Sequence, residues 1–354
     1  MAKKEVEEKF YNPDKILSLK DLDGEEPSIY LITTNRSAGK TTAFLKKALK
    51  DFNTEGKKFC LIYRYSYELT SANEIFKDVL FLFKGLGSEM TTQAKARGLF
   101  YELLLDGKEC GFALSLSNVD GLKKYSPLFA NVYNLIFDEF QTESGKYLKK
   151  EVDKLQSLLL TVSRGGGEQS RNIKLFMLGN FVSLLNPYYI RFDIPKRVRE
   201  NTHFLRGYGW VAEFGFNKSA SNAIKNNAIY KAFNGDKYLQ ATTENVYLHD
   251  SEVFIEHMSG KSEYYATIVY DGRAYGIREF KEQGLLYISK KADKNYPFTL
   301  VFKADDHNAN TLMLTGYSKV MKYLKDCYCR GLMRFDCMES KNAIFEVLAI
   351  DIYN

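Results

Sequence analysis

The residues best suited to chemistry lie in two short segments of the chain. Residues 34–41 read TNRSAGKT, and residues 135–140 read LIFDEF. A glycine-lysine-threonine sequence after an apolar strand suits a phosphate-binding loop, because backbone N–H groups and a lysine can surround phosphate oxygens. An Asp-Glu pair at the end of another apolar strand suits a carboxylate site for Mg²⁺. Together the two segments predict an ATP hydrolysis site.

The residues around the first segment supply the elements that a phosphate loop requires. Residues 28–34 (SIYLITT) predict a buried strand, and residues 40–51 (KTTAFLKKALKD) predict a helix with one apolar face. We expect Lys40 to contact the β- and γ-phosphates of ATP and Thr41 to place its hydroxyl on Mg²⁺. The other nucleotide-contacting residues predicted from the loop and the first helical turn are Ser37, Ala38, Gly39 and Thr42.

One position departs from the common form of this loop. The motif usually opens with glycine, and here that position is Thr34. A β-branched residue resists positive φ, so we expect the entry to the loop to differ from the usual form. The alternative is a chance GKT on a surface turn, which the strand-helix context and the second segment disfavour.

The second segment has the pattern of a strand that ends at a ligand crevice. The apolar run over residues 132–140 suits a central parallel strand buried on both faces. Two adjacent carboxylates are costly in a core, but open α/β sheets bind ligands outside the carboxyl ends of their strands. We expect Asp138 to hold Mg²⁺, directly or through water, and Glu139 to orient and polarise the attacking water. The alternative is a strand that runs out into an acidic turn.

The composition is that of a soluble globular protein. The 354 residues are enough for two domains, with 45% hydrophobic and 27% charged residues. No apolar run approaches the length of a membrane span, and the charged N-terminus lacks the core of a signal peptide. The five cysteines show no pairing or zinc-binding pattern, so we expect reduced thiols in a cytosolic compartment. The net charge of +6 permits a nucleic-acid partner.

The pattern along the chain changes twice. Strands that alternate with helices up to residue 195 predict an α/β domain with a mostly parallel, doubly wound sheet. Within this domain the sequence predicts a helix over residues 71–83 and a hairpin that turns at Asp106-Gly107. Residues 196–244 are polar without clear periodicity, which predicts a linker or a small helical subdomain. Residues 245–354 are rich in short strands, the first over residues 253–257, and end in two helices, which predicts a small α+β domain.

These features together resemble a known family, the genome-packaging ATPases of small protein-primed, short-tailed phages (Salasmaviridae-type), which are relatives of the large terminases. Arg36 stands three residues before Gly39, where terminases often carry a basic residue, and terminases commonly lack the first glycine. Asn12 lies in a segment that the resemblance places near the adenine. The stretches that carry the resemblance are FYNP at 10–13, the loop at 34–41, YRY at 63–65, DEF at 138–140, VSLLNPY at 182–188 and SEVFIE at 251–256.

The resemblance implies a fold, an assembly and a set of partners. It implies an ASCE-type P-loop ATPase domain followed by a ribonuclease-H-like domain, and the poor set of carboxylates in that domain predicts a vestigial nuclease. It further implies a homo-pentameric ring at the portal vertex of an empty capsid, pumping double-stranded DNA inward with ATP and Mg²⁺. Some relatives also use a structural RNA. Such a protein would act in the cytoplasm of the infected bacterial host, docked transiently on the procapsid.

Further site residues follow from their family positions. Arg164, before three glycines, is the candidate arginine finger that reaches a neighbouring subunit's ATP, with Arg171 as the second choice. Asn180 ends a core strand, where it would sense the γ-phosphate or the lytic water. Lys123 and Lys124 lie in a loop that faces the pore in the family, where a lysine would contact DNA phosphates. The alternatives are a solvated arginine, a turn asparagine and a solvated lysine pair.

Three functions remain open from the sequence. The first is an ATP-driven DNA translocase, the second a terminase-like protein that also cuts DNA, and the third a structural adaptor that binds nucleotide without hydrolysing it. A nuclease needs several carboxylates around two metals, and the first usually lies within a strand, where only Glu256 is a fair match. The available carboxylates of the last domain are those of Glu256, Asp271, Asp305, Asp306, Asp326 and Asp336.

Overall fold

The chain folds into two compact units. The computed structural model describes residues 11–143, 146–164, 168–184, 186–198, 202–232, 254–270, 272–293, 295–314 and 318–349. One unit comprises Met1–Ser183 with Arg197–Leu248, and the other comprises Leu184–Lys196 with His249–Asn354. Within the described ranges, none of the helices combines the length and the apolar character needed to cross a bilayer.

The first unit is built on a nine-stranded sheet. Its strands are β1 (Ile29–Thr34), β2 (Lys58–Tyr63), β3 (Met90–Lys95), β4 (Phe100–Leu105), β5 (Lys108–Ser115), β6 (Val132–Asp138), β7 (Lys174–Asn180), β8 (Phe204–Gly207) and β9 (Trp210–Gly215). Their spatial order is β3-β4-β5-β2-β6-β7-β1-β9-β8. The six consecutive strands β5-β2-β6-β7-β1-β9 are parallel to one another, which confirms the predicted α/β fold class.

Helices lie before, between and after these strands along the chain. The helices up to residue 232 are α1 (Asp14–Leu17), α2 (Lys40–Glu55), α3 (Lys77–Leu82), α4 (Val119–Leu122), α5 (Glu151–Ser163), α6 (Pro187–Arg191), α7 (Ile194–Arg197), α8 (Lys218–Asn226) and α9 (Ala228–Ala232). Two of them, α6 and α7, fall mainly in the segment Leu184–Lys196 of the second unit. One helix predicted over residues 71–83 is wrong in extent, because this segment contains a 3₁₀ turn at Glu74–Phe76 and then the short α3. Phe76 and Val79 are buried there, whereas Phe81 is 80% exposed, so no single apolar face runs through the segment.

The range 196–244 contains strands that the sequence pattern did not indicate. The hairpin of β8 and β9 joins the main sheet, because β9 pairs in parallel with β1 along its whole length. All residues of β9 from Trp210 to Phe214 are buried, and they include Glu213, so neither a strand alternation nor a helical period is visible in the sequence. Residues 233–244 of this range lie outside the described residues.

The second unit is a six-stranded mixed sheet packed against helices. Its elements are β10 (Glu263–Tyr270), β11 (Arg273–Phe280), β12 (Leu285–Ser289), β13 (Thr299–Val301), β14 (Leu312–Met313), α10 (Lys319–Cys329), β15 (Met333–Phe335) and α11 (Met338–Ala349). The sheet order is β14-β13-β10-β11-β12-β15. Side chains of α10 and α11, such as Leu324 and Ile344, form one core with strand residues such as Ile268. This arrangement confirms the predicted α+β character.

The placement of Glu256 within a strand is wrong. Ile255 makes only an isolated bridge to Phe335, and Glu256 follows it beside β15 at the edge of the sheet. The central strand β10 reads EYYATIVY and carries its one carboxylate at its first residue, Glu263. A residue next to an edge strand cannot project from the middle of the sheet, which is where the nuclease interpretation required it.

Close packing of β5 against β2 gives a testable consequence for Gly111. A Cβ atom at this position would lie 2.1 Å from the carbonyl oxygen of Phe59, on the paired strand. We expect Gly111→Ala to lower the free energy of unfolding by about 1–3 kcal/mol, because the backbones must move apart. Urea unfolding followed by fluorescence of Trp210, the one tryptophan of the chain, measures this. Lys108→Ala, an exposed change on the same strand, should stay within about 0.5 kcal/mol, and an equal loss in both variants would contradict the packing argument.

Candidate nucleotide-binding site

Three neighbouring parallel strands end side by side at one edge of the first unit. Strand β7 lies between β6 and β1, with Asp138 opposite Leu178 and Thr34 opposite Asn180. Because the carboxyl ends of parallel strands meet at the same edge, polar residues distant in sequence become neighbours. The two segments singled out in the sequence, together with Asn180, therefore meet in one crevice.

Lys40 is the most deeply buried cation of this site. Its ammonium donates to the Thr34 hydroxyl (Nζ–Oγ1 2.9 Å) and to the Asn180 amide oxygen (Nζ–Oδ1 3.1 Å). A longer contact of 3.5 Å reaches the carbonyl oxygen of Asn35. Burial lowers the pKa of Lys40 to about 8, and the nearby Asp138 carboxylate opposes that shift. These three partners are neutral oxygens, so an anion entering here would supply charge that they do not.

Thr41 and Asp138, the two predicted metal ligands, are in direct contact. The Thr41 hydroxyl donates to Asp138 Oδ2 at 2.7 Å. Burial raises the pKa of Asp138, although Thr41 and the Lys40 ammonium act in the opposite direction. A threonine hydroxyl beside a single carboxylate is the donor set with which proteins hold Mg²⁺ next to a phosphate, while the phosphates and water supply the other ligands.

The loop between β1 and α2 has the backbone of an anion cradle. Ser37 and Gly39 have positive φ angles of 58° and 83°, and Thr34 does not, because it is still the last residue of β1. Gly39 is the N-cap of α2, and no side chain there caps the first-turn N–H groups. The first turn also carries no acidic residue, so these N–H groups can accept phosphate oxygens. Thr42, partly exposed, lies within that turn.

Glu139 follows the metal-ligand candidate in a strained conformation. Its φ is 53°, a left-handed value that few residues with a side chain adopt, and its N–H donates to Asp138 Oδ1 at 3.0 Å. Burial and the adjacent Asp138 carboxylate raise the pKa of Glu139, while Arg36 lowers it. Arg36 itself forms an ion pair with Glu143. The structure thus places both the basic residue of the loop and the second carboxylate of the pair at this edge.

The segment before β1 contacts the loop through Tyr11 rather than through Asn12. The N–H of Tyr11 donates to the carbonyl oxygen of Ala38 at 2.8 Å, and its ring stacks on Phe44 of α2. Asn12 is exposed, and its side chain accepts from the N–H of Asp14 at the start of α1. The structure therefore brings the N-terminal segment to the loop, but it does not bring the side chain of Asn12 there.

Glu213 is a buried carboxylate of this site that the sequence did not indicate. It lies on β9 and accepts a hydrogen bond from the hydroxyl of Tyr11. Burial raises the pKa of Glu213, and charges including that of Lys40 act against this shift. Because 202 residues separate Tyr11 from Glu213, no local motif could have linked them.

Arg64 is hydrogen-bonded to the backbone of the Asp-Glu segment. Its guanidinium donates to both carboxylate oxygens of Glu151 (Nε–Oε2 3.0 Å) and to the carbonyl oxygens of Phe140 and Glu139, at 3.0 and 3.4 Å. Both members of the Arg64–Glu151 pair are buried. Glu151 opens α5, which ends beside Arg164, so this pair connects the carboxylate segment to that helix.

Gln141 ties the same segment to the neighbouring strands. Its amide nitrogen donates to the hydroxyl of Thr33 on β1 at 3.3 Å, and its amide oxygen accepts from the N–H groups of Val182 and Ser183 after β7. The side chain is buried. The residues that follow β6 are therefore fixed by the ends of β1 and β7.

The two candidate arginine fingers have different surroundings. Arg164 is exposed and extended at the end of α5, and residues 165–167 after it lie outside the described residues. Arg171 is buried, and its guanidinium donates to the carbonyl oxygens of Phe129, Val132 and Val162. A guanidinium held by three backbone carbonyls cannot extend to another subunit, so Arg171 is not available as the second choice.

Lys123 and Lys124 are exposed at the start of a 3₁₀ helix over Lys123–Phe129, where the sequence predicted a loop. Lys123 pairs with Asp120 (Nζ–Oδ1 2.7 Å), and the Lys124 ammonium lies 5.1 Å from the ring centre of Tyr125. Neither lysine approaches the residues of the nucleotide crevice described above. They form a separate surface at the segment between β5 and β6.

The carboxylates of the second unit interact with different partners and do not form one cluster in the described residues. Glu256 pairs with Arg334, Asp326 with Arg330, and Asp306 and Asp336 accept backbone N–H groups. Asp305 lies in the same short 3₁₀ turn as Asp306, and Asp271 lies outside the described residues. In the part of the chain that the structure describes, no group of three or more His, Cys, Asp or Glu side chains is placed to hold a metal ion.

Comparisons with known proteins agree with the resemblance seen in the sequence. Residues 6–351 match the family model described as podovirus DNA encapsidation protein (Gp16). The chain is 28% identical over 342 residues to the DNA packaging protein of Bacillus phage phi29, covering 96% of each chain. It is 30% identical over 309 residues to that of Bacillus phage B103, covering 85% of this chain and 90% of the other. A chain of the bacteriophage Phi-29 viral genome packaging motor assembly superposes with a TM-score of 0.57 and 27% identity, covering 97% of this chain and 99% of that one.

The raised pKa of Glu213 predicts a pH-dependent stability effect. Because its folded-state pKa lies above the unfolded value, ionising Glu213 costs folding free energy as the pH rises through that range. We expect Glu213→Gln, which still offers Tyr11 an oxygen acceptor, to be more stable than the wild type at pH 8. This gain should shrink as the pH falls towards about 4.3, where the unfolded carboxylate also protonates.

Urea midpoints followed by Trp210 fluorescence between pH 4 and pH 8 measure this effect. Glu25→Gln, a change of the same kind at an exposed position, is the matched control and should show no such trend. A stability difference for Glu213→Gln that stays constant across this pH range would contradict the assignment of a costly buried charge.

Proposed function

Because this chain belongs to the podovirus DNA encapsidation protein family, we propose that it is an ATP-driven motor that moves double-stranded viral DNA into an empty capsid. The observation that carries this proposal is the meeting of Lys40, Thr41 and Asp138 at one sheet edge. A similarity that extends over nearly the whole chain to the DNA packaging protein of Bacillus phage phi29 supports it.

The nucleotide would be held by the loop between β1 and α2. The backbone N–H groups from Ser37 to Thr42 and the ammonium of Lys40 would donate hydrogen bonds to the phosphate oxygens, and Lys40 would exchange its neutral partners for these oxygens. Arg36 adds positive charge at the outer side of the loop. Thr41 and Asp138 would hold Mg²⁺, which neutralises charge on the phosphates when bound.

Hydrolysis would depend on Glu139 and Asn180. Glu139 lies next to the metal ligand, and its raised pKa suits a group that orients water and accepts its proton. Arg64 donates a hydrogen bond to the carbonyl oxygen of Glu139, which restricts the backbone that carries this carboxylate. Asn180 already accepts a hydrogen bond from Lys40. A change in the partners of Lys40 would therefore change the hydrogen bonding of Asn180 at the end of β7.

Arg164 would act on the nucleotide of a neighbouring subunit. It is exposed, and α5 connects it to the Asp-Glu segment through Glu151 and Arg64. An arginine supplied in trans stabilises charge on the transferring phosphoryl group, which raises turnover by orders of magnitude. This role requires a ring, for which we propose five copies, docked on the portal of the procapsid in the infected host cell.

The remaining assignments concern the parts of the chain and their partners. We assign ATP hydrolysis to residues 1–195, a connecting role to residues 196–244, and a ribonuclease-H-like fold to residues 245–354. DNA would be held through its phosphates by Lys123 and Lys124, without sequence preference. A structural RNA remains a further partner to be tested by adding RNA to the assembled motor.

The decisive test is ATP turnover by the purified chain with and without duplex DNA. We expect turnover that DNA stimulates, and its loss in Lys40→Ala, since Lys40 would neutralise the β- and γ-phosphates. Glu139→Gln should bind ATP about as tightly as the wild type but hydrolyse it at least about a hundredfold more slowly, because an amide cannot accept a proton.

Equilibrium binding of a fluorescent ATP analogue separates these two defects. Retention of turnover by Lys40→Ala would exclude the phosphate-loop assignment. Joint loss of binding and turnover in Glu139→Gln would mean that Glu139 shares the metal-holding role of Asp138. ATP binding without any turnover by the wild type, with or without DNA, would identify a structural adaptor instead.

The trans role of Arg164 predicts complementation between inactive subunits. We expect Arg164→Ala and Lys40→Ala chains, each inactive alone, to regain partial ATP turnover when mixed, because some interfaces then pair an intact loop with an intact arginine. The measurement is ATPase activity against mixing ratio, in rings whose composition is verified by mass spectrometry.

The matched control is a chain that carries both substitutions. Mixed with either single variant, it offers no interface with both groups intact, so activity should stay at background. Absence of recovery in the mixture of single variants would place the arginine that serves each ATP within the same subunit. Recovery in the control would show turnover that does not require Lys40 together with Arg164, and it would contradict both assignments.

A further inference from the structure

The turn between β3 and β4 has an unusual backbone for the residues it contains. Lys95 and Gly98 close it through a Gly98 N–H to Lys95 carbonyl bond of 3.0 Å. The residues inside it, Ala96 and Arg97, have φ angles of 50° and 60°, and Gly98 follows at 80°. Hairpin turns of this left-handed kind favour Asn-Gly or Gly-Gly, because side chains raise the energy of this conformation. Both Ala96 and Arg97 are exposed, so packing in the core does not explain them.

This turn lies at the same edge of the sheet as the nucleotide crevice. Strand β4 starts at Phe100 and runs antiparallel to β5, so its beginning lies at the carboxyl end of the parallel strands. In the sheet order, β5 and β2 separate β4 from β6, which ends at Asp138. At about 4.8 Å per strand the turn lies roughly 15 Å from the Asp138 strand, near the crevice but outside it.

The turn also packs against the segment that carries Lys123 and Lys124. The amide of Asn118 donates to the carbonyl oxygen of Leu99 at 3.4 Å, and a Cβ atom on Gly121 would lie 2.9 Å from Leu99 Cδ1. One residue further, the ring of Phe100 contacts the ring of Tyr125 with centres 5.3 Å apart. The two segments are therefore held side by side.

Four cations belong to this combined surface, which we call the basic ridge and define as Lys95, Arg97, Lys123 and Lys124. Two of them are neutralised, Lys95 by Glu102 and Lys123 by Asp120. Within the described ranges, Arg97 and Lys124 make no ion pair, so these two carry the uncompensated charge of the ridge. An exposed arginine with no carboxylate partner keeps all of its N–H donors available for an external anion.

We propose that the basic ridge binds the phosphate backbone of duplex DNA, with Arg97 as its principal contact and Lys124 as the second. This inference rests on the proposed function and assigns its DNA contacts to the turn, beyond the lysine pair. Glycine at position 97 would adopt the same backbone without strain, so an arginine with this positive φ costs stability. A guanidinium offers phosphate a planar pair of donors, and such contacts read no sequence.

Because the positive φ of Arg97 is unfavourable, the test includes a measurement of stability as well as of DNA binding. Arg97→Gly should have an unfolding midpoint equal to or above that of the wild type, because it relieves the turn. The same variant should bind a mixed-sequence 30-base-pair duplex more weakly, and the slope of log affinity against log salt should fall by about one. Arg97→Lys, which keeps the charge, should retain the wild-type slope.

The matched control is Lys108→Ala, an exposed lysine at the other end of β4 and β5, which should leave both the slope and the affinity unchanged. Fluorescence anisotropy of the labelled duplex between 50 and 300 mM salt, a range chosen to span weak and strong screening (about 14 to 6 Å Debye length), gives both quantities. If the slope is unchanged in Arg97→Gly while the wild type binds DNA, the basic ridge does not bind DNA, and the proposed function is unaffected. No DNA binding by the wild type would instead overturn the proposed function and the ridge with it.

Discussion

The burial of the Lys40 ammonium group is the constraint on which the site depends. A charge removed from water is costly unless oxygens surround it, and the fall of its pKa to about 8 records that cost. Its ammonium donates to oxygens of Thr34, Asn35 and Asn180, which are neutral. A phosphate group would replace such acceptors with anionic oxygens, so binding of the proposed nucleotide would offset a cost that the free protein carries. The site is thereby prepared for an anion before any anion arrives.

This constraint explains why the strand order matters more than any single motif. The residues that meet around Lys40 and Thr41 are 97 and 140 positions away along the chain, on β6 and β7. They meet because β7 is inserted between β6 and β1 with all three strands parallel. Arg64 and Gln141 then fix the segment after β6 from two sides, which holds Glu139 in a conformation that its side chain disfavours.

The sequence predicted those features whose chemistry is local. The strand, loop and helix around Lys40 could be predicted from local apolar patterns and from the glycine before the helix. The strand before Asp138 could be predicted from its apolar run, and the structure contains all of these elements. The hairpin of β8 and β9 was missed because its alternation is masked by aromatic residues on both faces. Tyr11 with Glu213, and Arg64 with Glu151, were missed because each pair exists only after distant segments fold together. Glu256 was misplaced for a similar reason, since the sequence does not show that its segment makes only an isolated bridge to an edge strand.

The one departure from the usual loop, Thr34, also has a physical explanation that only the folded sheet provides. Thr34 is the last residue of β1 and does not need positive φ, so its branched side chain causes no strain there. Its hydroxyl accepts from Lys40 and donates to the Asn35 carbonyl, and glycine can do neither. Its methyl group lies 3.1 Å from where a Cβ atom of Gly215 would be, and Gly215 is its partner in the register of β1 and β9. The glycine absent from the start of the loop is thus matched by a glycine on the neighbouring strand, which makes room for a side chain that helps hold the buried lysine.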